Sequence, residues 1–234
     1  MRSPFIALIR KDIKGYFDQP TGYILIVVFV SMLSWAYFKT ALLIGEASLR
    51  PLFTVEFAID RPSLPWLMTL FIPAATMRLL SEEPKLGTME LLLTAPVRDW
   101  EVLVGKFLAA FTALMSTYAL TLYYVVLLYW FGNPDTGPVF SAYLGLILYG
   151  MTALAIGIFA SSLSSNQLVA GVVGFVIVLL LSFINLLGDR LPGGIELFNN
   201  LSMNIHFSDF TRGVLDTTHI AYYIAMTAIF LFFA

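Results

Sequence analysis

The chain has 234 residues, of which 59% are hydrophobic and 12% charged, with a net charge of −2 and a mean hydropathy of +0.85. A soluble domain carries about 25% charged residues, so this composition points to an integral membrane protein. The slightly acidic balance excludes a nucleic-acid surface, and the absence of cysteine excludes a disulfide framework, thiolate metal sites and thiol catalysis.

The first element is read over 1–19. Ser3 can cap a helix with Pro4 at its first position. Phe5, Ile9 and Ile13 recur four apart and share a face, while Arg10, Lys11 and Lys14 lie mostly away from it. This predicts an amphipathic helix at the membrane interface. Asp18-Gln19-Pro20 breaks it and turns the chain into the first span. Charged residues run on to Asp18 and the next apolar run is too long for a signal peptide, so the segment is read as uncleaved.

Six apolar segments reach or approach the roughly 20 helical residues that a bilayer core requires. They are Gly22–Ile44, Leu64–Leu80, Val102–Phe131, Val139–Leu163, Leu168–Leu187 and His219–Ala234. The runs are continuous rather than alternating, which favours helices over a barrel. The sequence therefore predicts an all-α integral membrane protein, one transmembrane domain over 1–234. Spans 1 and 2 fall within 22–80, spans 3 to 5 within 102–187, an extracytoplasmic loop at 188–218, and a sixth span at 219–234. That last span lacks a polar finish and is read as cut short. Pro73 inside the second span removes one backbone hydrogen bond and predicts a kink. Ala153, Gly157 and Ser161, then Ala170 and Gly174, are small residues four apart; they suit close helix approach, or are chance spacing in a composition rich in small residues.

Between spans 2 and 3 lies a polar island, 81–101, reading SEEPKLGTMELLLTAPVRDWE. Charge this dense belongs outside the hydrocarbon. Locally it reads as two short helices broken at Gly87, with Thr88 as a cap and Glu90 near a helix N-terminus. Met89, Leu91, Leu92 and Leu93 form an apolar knob; after Thr94-Ala95-Pro96 another helix starts, with Asp99 and Glu101 early and Lys106 later. An apolar knob flanked by both charge signs suits a protein contact whose register is set by charge. The alternative is a loop packed on its own helix ends. Basic residues orient the chain: Arg2, Arg10, Lys11, Lys14, Arg78, Lys85, Arg98 and Lys106 on one side, Arg50, Arg61, Arg190 and Arg212 on the other. Eight against four places the N-terminus and the island in the cytoplasm. Lys39 near the end of span 1 can snorkel outward.

Absent chemistry narrows the function. The span middles carry almost no ionisable residues, with Asn185 the one amide well inside, which disfavours an ion-coupled secondary transporter. The phosphate-cradling GxxxxGK[ST] pattern is missing: Gly105-Lys106 is followed by Phe107, and Trp100 stands at the first glycine position. Any ATP chemistry belongs to another chain. Glu82-Glu83 has the paired acids of an intramembrane protease, but Gly87 falls where that motif needs arginine. His206 and Asp209 are three apart, as helical metal ligands are, yet a site would need further carboxylates, and the plain reading is a solvated surface loop. Tyr118, Tyr123, Tyr124 and Tyr129 in span 3 read as helix contacts or an interfacial belt.

The run Glu83-x-x-x-Gly87-Thr88-x-Glu90-x-Leu92, then Pro96 and Gly105-Lys106, resembles the cytoplasmic loop of type 2 ABC exporter permeases. RKDIKGYFDQPTGY, IPAATMRLLSEEPKLGTMELLLTAPV, IGIFASSLSSNQLVA and HFSDFTRGVLD are similar to the gliding-motility, Gld-type subfamily of these permeases. The resemblance covers nearly the whole chain. It implies six transmembrane helices, an amphipathic N-terminal helix and a cytoplasmic coupling helix between spans 2 and 3. It implies short helices in the outer loop before span 6. It also implies a second permease chain, identical or related, and cytoplasmic ABC ATPase subunits that bind the ATP and Mg; no cofactor and no catalytic residue is expected in this chain. Carried over by position, Glu83, Gly87, Thr88, Glu90, Leu91, Leu92, Pro96 and Glu101 would face the ATPase, with Phe5, Ile9 and Ile13 on the interfacial helix beside them. The setting implied is a bacterial cytoplasmic membrane. The functions that follow are export of a substrate or force transmission to the envelope; a scaffold without transport is the alternative.

Overall fold

The structure is a computed structural model that describes residues 4–18, 20–39, 50–53, 63–81, 98–131, 135–188 and 195–234. Among the described residues the chain is all-helical. The helices are α1 (Pro4–Asp18), α2 (Pro20–Tyr37), α3 (Arg50–Phe53), α4 (Leu64–Thr76), α5 (Asp99–Phe131), α6 (Thr136–Ser162), α7 (Gln167–Phe183), α8 (Asn185–Gly188), α9 (Ile195–Leu201), α10 (Met203–Thr211) and α11 (Thr217–Phe232).

α6 is the centre. It is apolar on every side, the pattern of a helix surrounded by other helices. It packs against α4, α5, α7, α10 and α11. Within their most apolar stretches 78% of α6 is buried against 28% of α5, so α6 is a core helix and α5 leaves a broad face outward. Leu146, Tyr149, Ala153, Leu154, Ile156 and Ile158 of α6 are all buried. Two expectations about small residues hold here: Ala153, Ser161 and Ala170 are buried, and α4, α6 and α7 converge where Gly174 backs onto Pro73 and Ala160. Hydroxyls tie the same three helices, since Tyr149 Oη lies 2.7 Å from Ser182 Oγ on α7 and 3.1 Å from Thr69 Oγ1 on α4. Tyr149→Phe leaves both hydroxyls without this partner, and the expected loss is about 1–2 kcal/mol, read as a lower unfolding temperature in detergent.

Span lengths differ from expectation. Among the described residues two helices, α5 and α6, are long and apolar enough to cross a membrane; the pair Ile9–Asp18 and Gly22–Tyr37, bent by 65°, makes a third if counted as one span. α4, α7 and α11 have 13, 17 and 16 residues. At about 1.5 Å rise per residue these are short for a hydrocarbon core of about 30 Å. The second expected span, Leu64–Leu80, stops being helix at Thr76 because Ser161 Oγ accepts the Leu80 and Ser81 N–H groups at 3.0 and 3.1 Å, in place of helix carbonyls. The fifth, Leu168–Leu187, breaks after Phe183, beside the Ser182 carbonyl, which accepts from Ser202 Oγ at 3.1 Å. Asn185 does bond across elements, its side-chain Oδ1 lying 3.1 Å from Ser202 Oγ and sharing that hydroxyl with the Ser182 carbonyl.

The expected outer loop contains the short helices α9 and α10, and α10 is not a solvated surface segment. Met203, Phe207 and Phe210 are fully buried and His206 is 7% exposed. Phe207 meets Tyr149 edge-to-face at 5.9 Å, so α10 seats on α6. The His206 reading is corrected accordingly: the apolar residues around it, at helical spacing, carry the loop into the bundle. In span 3, Tyr118 and Tyr124 are buried helix contacts, with Tyr118 Oη donating to the Leu146 carbonyl at 3.0 Å, while Tyr123 and Tyr129 stay exposed. Lys39 lies 5.1 Å over the Trp35 ring, its stem folded back along α2.

Candidate functional site

The polar island is inserted between α4 and α5, and the described structure shows how its two ends are fixed. On the leading side, after α4, Met77 N–H donates to the Pro73 carbonyl at 2.9 Å and Leu79 N–H to the Thr76 carbonyl at 3.0 Å. Ser81 Oγ donates to the Met77 carbonyl. Ser161, at the end of α6, then holds this turn from outside: its Oγ accepts from Leu80 and Ser81 and donates to the Met77 carbonyl at 3.2 Å. On the trailing side, Lys106 of α5 reaches back and donates from Nζ to the Leu79 carbonyl at 2.7 Å. Lys106 is only 6% exposed. An ammonium so enclosed makes a short charge-assisted bond worth more than a neutral one. The stems that enter and leave the island are thus joined to each other and to α6.

Glu101 sets the start of α5. Its Oε2 accepts the Arg98 N–H at 2.8 Å, the reciprocal half of a capping box. Glu101 N–H donates to the Arg98 carbonyl at 2.9 Å, which closes the first turn. Of the residues predicted to face a partner, Glu101 is the one described here, half-buried and acting as a cap. Glu83, Gly87, Thr88, Glu90, Leu91, Leu92 and Pro96 lie outside the described residues, as do the two short helices expected there.

α1 lies beside this base and packs along α5. Ile9 and Ile13 are half-buried, and Arg10, Lys11 and Lys14 exposed, as the amphipathic pattern requires. Phe5 falls within α1, with its side chain outside the described residues. The apolar face is laid on protein as well as on any membrane surface. Tyr16 Oη donates to the Ala75 carbonyl at 3.3 Å, tying α1 to the end of α4. Burial, with the Asp12 carboxylate adding to it, pushes that phenol above its ordinary range, so it remains a donor. Where α1 turns into α2, a Cβ on residue 22 would overlap the Tyr16 carbonyl oxygen, so the corner needs Gly22. Below the corner an apolar groove runs between α1, α2, α4 and α5, lined by Phe17, Leu25, Phe29, Phe71 and Leu114 among others.

Sequence reasoning placed Glu101 early in α5 but missed its capping role and the clamp; the Thr88 cap it expected lies outside the described residues. The available signal was Lys106 itself, a cation about one turn inside a continuous apolar run, which calls for a buried acceptor.

Residues 7–191 match the profile of a family described as ABC-2 family transporter protein. Two curated proteins are similar, each described as a probable multidrug ABC transporter permease YbhR, from Escherichia coli strain K12 and from Escherichia coli O157:H7. Each is 24% identical over 158 residues, covering 65% of this chain. The matched region spans 42% of the length of these relatives. No solved structure matches the chain.

Proposed function

This chain belongs to the ABC-2 transporter family, and from that premise we propose that it is the membrane permease subunit of an ATP-driven exporter. Apolar helices and family membership make it a multi-pass membrane protein. The finer reading has six crossings, with the N-terminus and the island in the cytoplasm of a bacterial inner membrane. A cytoplasmic ABC ATPase holds the ATP and Mg and docks on Glu83, Gly87, Thr88, Glu90, Leu91, Leu92, Pro96 and Glu101. Phe5, Ile9 and Ile13 flank that contact on α1. A second permease chain, identical or related, completes the pathway. This chain performs no bond chemistry.

The observation that carries this reading is the clamped base. A loop that merely capped its own helices would need no buried lysine and no serine from a third helix across its stems. A loop that must transmit force needs both ends fixed to the body it moves. When partner subunits close on ATP, displacement of the island reaches α4, α5 and α6 together and biases the bundle between two arrangements. The test is Glu90→Lys combined with Leu91→Asp. Loss of ATPase co-purification, with the variant still folded, is expected; full retention of the ATPase overturns the docking role.

The Gld-type resemblance of the motifs quoted above supports a second outcome for the same engine: force applied to envelope proteins rather than cargo moved. Vesicles containing permease and ATPase separate the two. Accumulation of a solute or lipid supports export, and an ATP-dependent shape change without cargo supports force transmission. Uptake driven by an ion gradient with no ATPase present would overturn both.

A further inference from the structure

The chain has 2 histidines, and both lie in one cluster, where α10 meets the start of α11. His206 Nδ1 is 2.7 Å from His219 Nδ1. The far nitrogen of each ring is also engaged. His206 Nε2 is 3.0 Å from the Asn200 carbonyl oxygen, and His219 Nε2 is 2.8 Å from Asp209 Oδ2. Tyr222 stacks on the His206 ring at 3.9 Å between centroids, and its hydroxyl is held by the Leu201 carbonyl at 2.6 Å.

Counting protons along this chain gives a definite result. A carbonyl only accepts, so His206 Nε2 carries a hydrogen. An ionised carboxylate only accepts, so His219 Nε2 carries one too. A neutral imidazole has a single N–H, so two neutral rings have then spent both hydrogens outward. Their Nδ1 lone pairs would face each other at 2.7 Å, a hydrogen-bonding distance that would instead be repulsive. A third proton must lie between them. Placing that proton on Asp209, with the carboxylic acid donating to His219, leaves the total unchanged: three bonds need three protons, and two neutral rings with an ionised carboxylate supply two.

We propose that Asn200, His206, His219 and Asp209 form a proton-binding site that stores one proton beyond two neutral histidines and thereby latches α10 to α11. The outer location of the site rests on the orientation proposed above; the proton count does not. The surroundings fit. On α10, Arg212 stands 4.0 Å from the other Asp209 oxygen. α11 contributes Tyr222, Tyr223 and the exposed Asp216, whose carboxylate caps the Thr218 N–H at 2.8 Å. α6 contributes Tyr149, α7 has no ionisable residue, and α9 offers Glu196, which is exposed. Among these described groups, Asp209 is the carboxylate that touches an imidazole. Burial pushes the His206 imidazole below its ordinary range, with the Asn200 carbonyl and Asp209 acting the other way. The Asp209 carboxylate lies against His219, so that contact is where the extra positive charge finds its counter-charge. The close approach of the two Nδ1 atoms leaves no room for a metal ion between them.

The sign of the pH dependence follows. A second extra proton would set two Nδ1–H groups head to head, so the stabilisation from neutral His206 is present above the ordinary histidine value of about 6.5 and is lost as pH falls through its lowered value. On the alkaline side, removal of the shared proton sets two lone pairs head to head and also loosens the join. The latch is tightest between these limits and titrates as one coupled unit. Its consequence is that the hold of α10 on α11 responds to the pH of the compartment it faces, through the range where histidine chemistry operates.

The test is nitrogen-15 NMR of the histidine-labelled full chain in lipid nanodiscs, scanned from about pH 5 to about pH 9, with amide hydrogen exchange of 203–211 followed over the same range. Three ring N–H groups shared by the two histidines near neutral pH are expected, with exchange of α10 rising as the third disappears at higher pH. Asp209→Asn removes the counter-charge and moves that disappearance to lower pH by about 1 unit. Two ring N–H groups near neutral pH with the Asp209 carboxyl ionised, read from its carbon-13 shift, or two rings titrating independently, overturn the site. A third N–H whose loss leaves α10 exchange unchanged overturns the latch. Failure of the ATPase to co-purify would leave the proton count untouched, so the two readings fail separately.

Discussion

Gly157→Leu unseats α4 from α6 and lowers stability by about 3 kcal/mol. At this position even a single carbon has no space. A Cβ would overlap Thr76 Oγ1 and come within 2.8 Å of the Thr76 Cβ and 3.2 Å of its Cγ2. Thr76 cannot swing aside cheaply, because its hydroxyl is held by the Ile72 carbonyl at 2.9 Å and the Pro73 carbonyl at 3.3 Å. α7 closes the third side, since Gly174 lies against Ala160, Pro73 and the Gly157 Cα. Without a hydrophobic driving force between helices in lipid, such close backbone approach supplies much of the packing, and a wedge removes it over a whole face. The measurement is the unfolding temperature in detergent. Two companions make it diagnostic. Gly157→Ala should lose less, and Thr76→Ala in the same chain should restore most of that loss by removing the opposing hydroxyl and methyl. Gly15→Ala, where a Cβ meets nothing within 4 Å, should be neutral or slightly stabilising, because alanine is the better helix former. Equal losses at 15 and 157 would mean that glycine acts through helix propensity rather than through contact.

The contrast between what could and could not be read from the sequence has a physical origin. Helix identity was legible, because long apolar runs without period-2 alternation leave little else. α1, α5 and α6 start and stop within a few residues of expectation. The small-residue spacing at Ala153, Gly157 and Ser161 pointed correctly to a helix contact. Helix ends in the interior were not legible. α4 stops at Thr76 because Ser161, distant in sequence, takes over N–H groups that the next turn would have used, and the end of α7 at Phe183 lies beside a carbonyl bonded by the equally distant Ser202. No local pattern announces such a capture. The His206–His219 pair was illegible for a different reason. The rings are 13 positions apart, and the polar tract between them reads as loop. What brings the rings together is the burial of Phe207 and Phe210 against α6, a tertiary effect. At the candidate site, the island's partner-facing residues were named from resemblance, whereas the clamp beneath them emerged only from three-dimensional placement.

The clamp also yields the sharpest functional expectation. Lys106→Met keeps the length and apolar stem of the side chain but deletes the ammonium that holds the Leu79 carbonyl at 2.7 Å. The loss of a charge-assisted bond, with its buried acceptor left behind, is about 1.5–3 kcal/mol, or roughly 10- to 100-fold in the population of the clamped base. The proposed docking residues do not include Lys106, so the ATPase should still co-purify. Coupling should fail instead: movement of the island no longer obliges α4 and α5 to move together. Because the chain contains no cysteine, a single Leu197→Cys on the exposed face of α9 provides a reporter on the opposite side of the bundle. In the otherwise unaltered chain its labelling rate should change when the bound ATPase receives ATP. With Lys106→Met added, that change should shrink about tenfold or more while ATPase binding persists. Lys106→Arg, which keeps a cation at the same height, should recover part of the response. If Lys106→Met instead releases the ATPase, the lysine belongs to the docking surface. If labelling still follows ATP in full, force enters the bundle by another route, with α1 and its Tyr16 bond to the Ala75 carbonyl as the next element to cut.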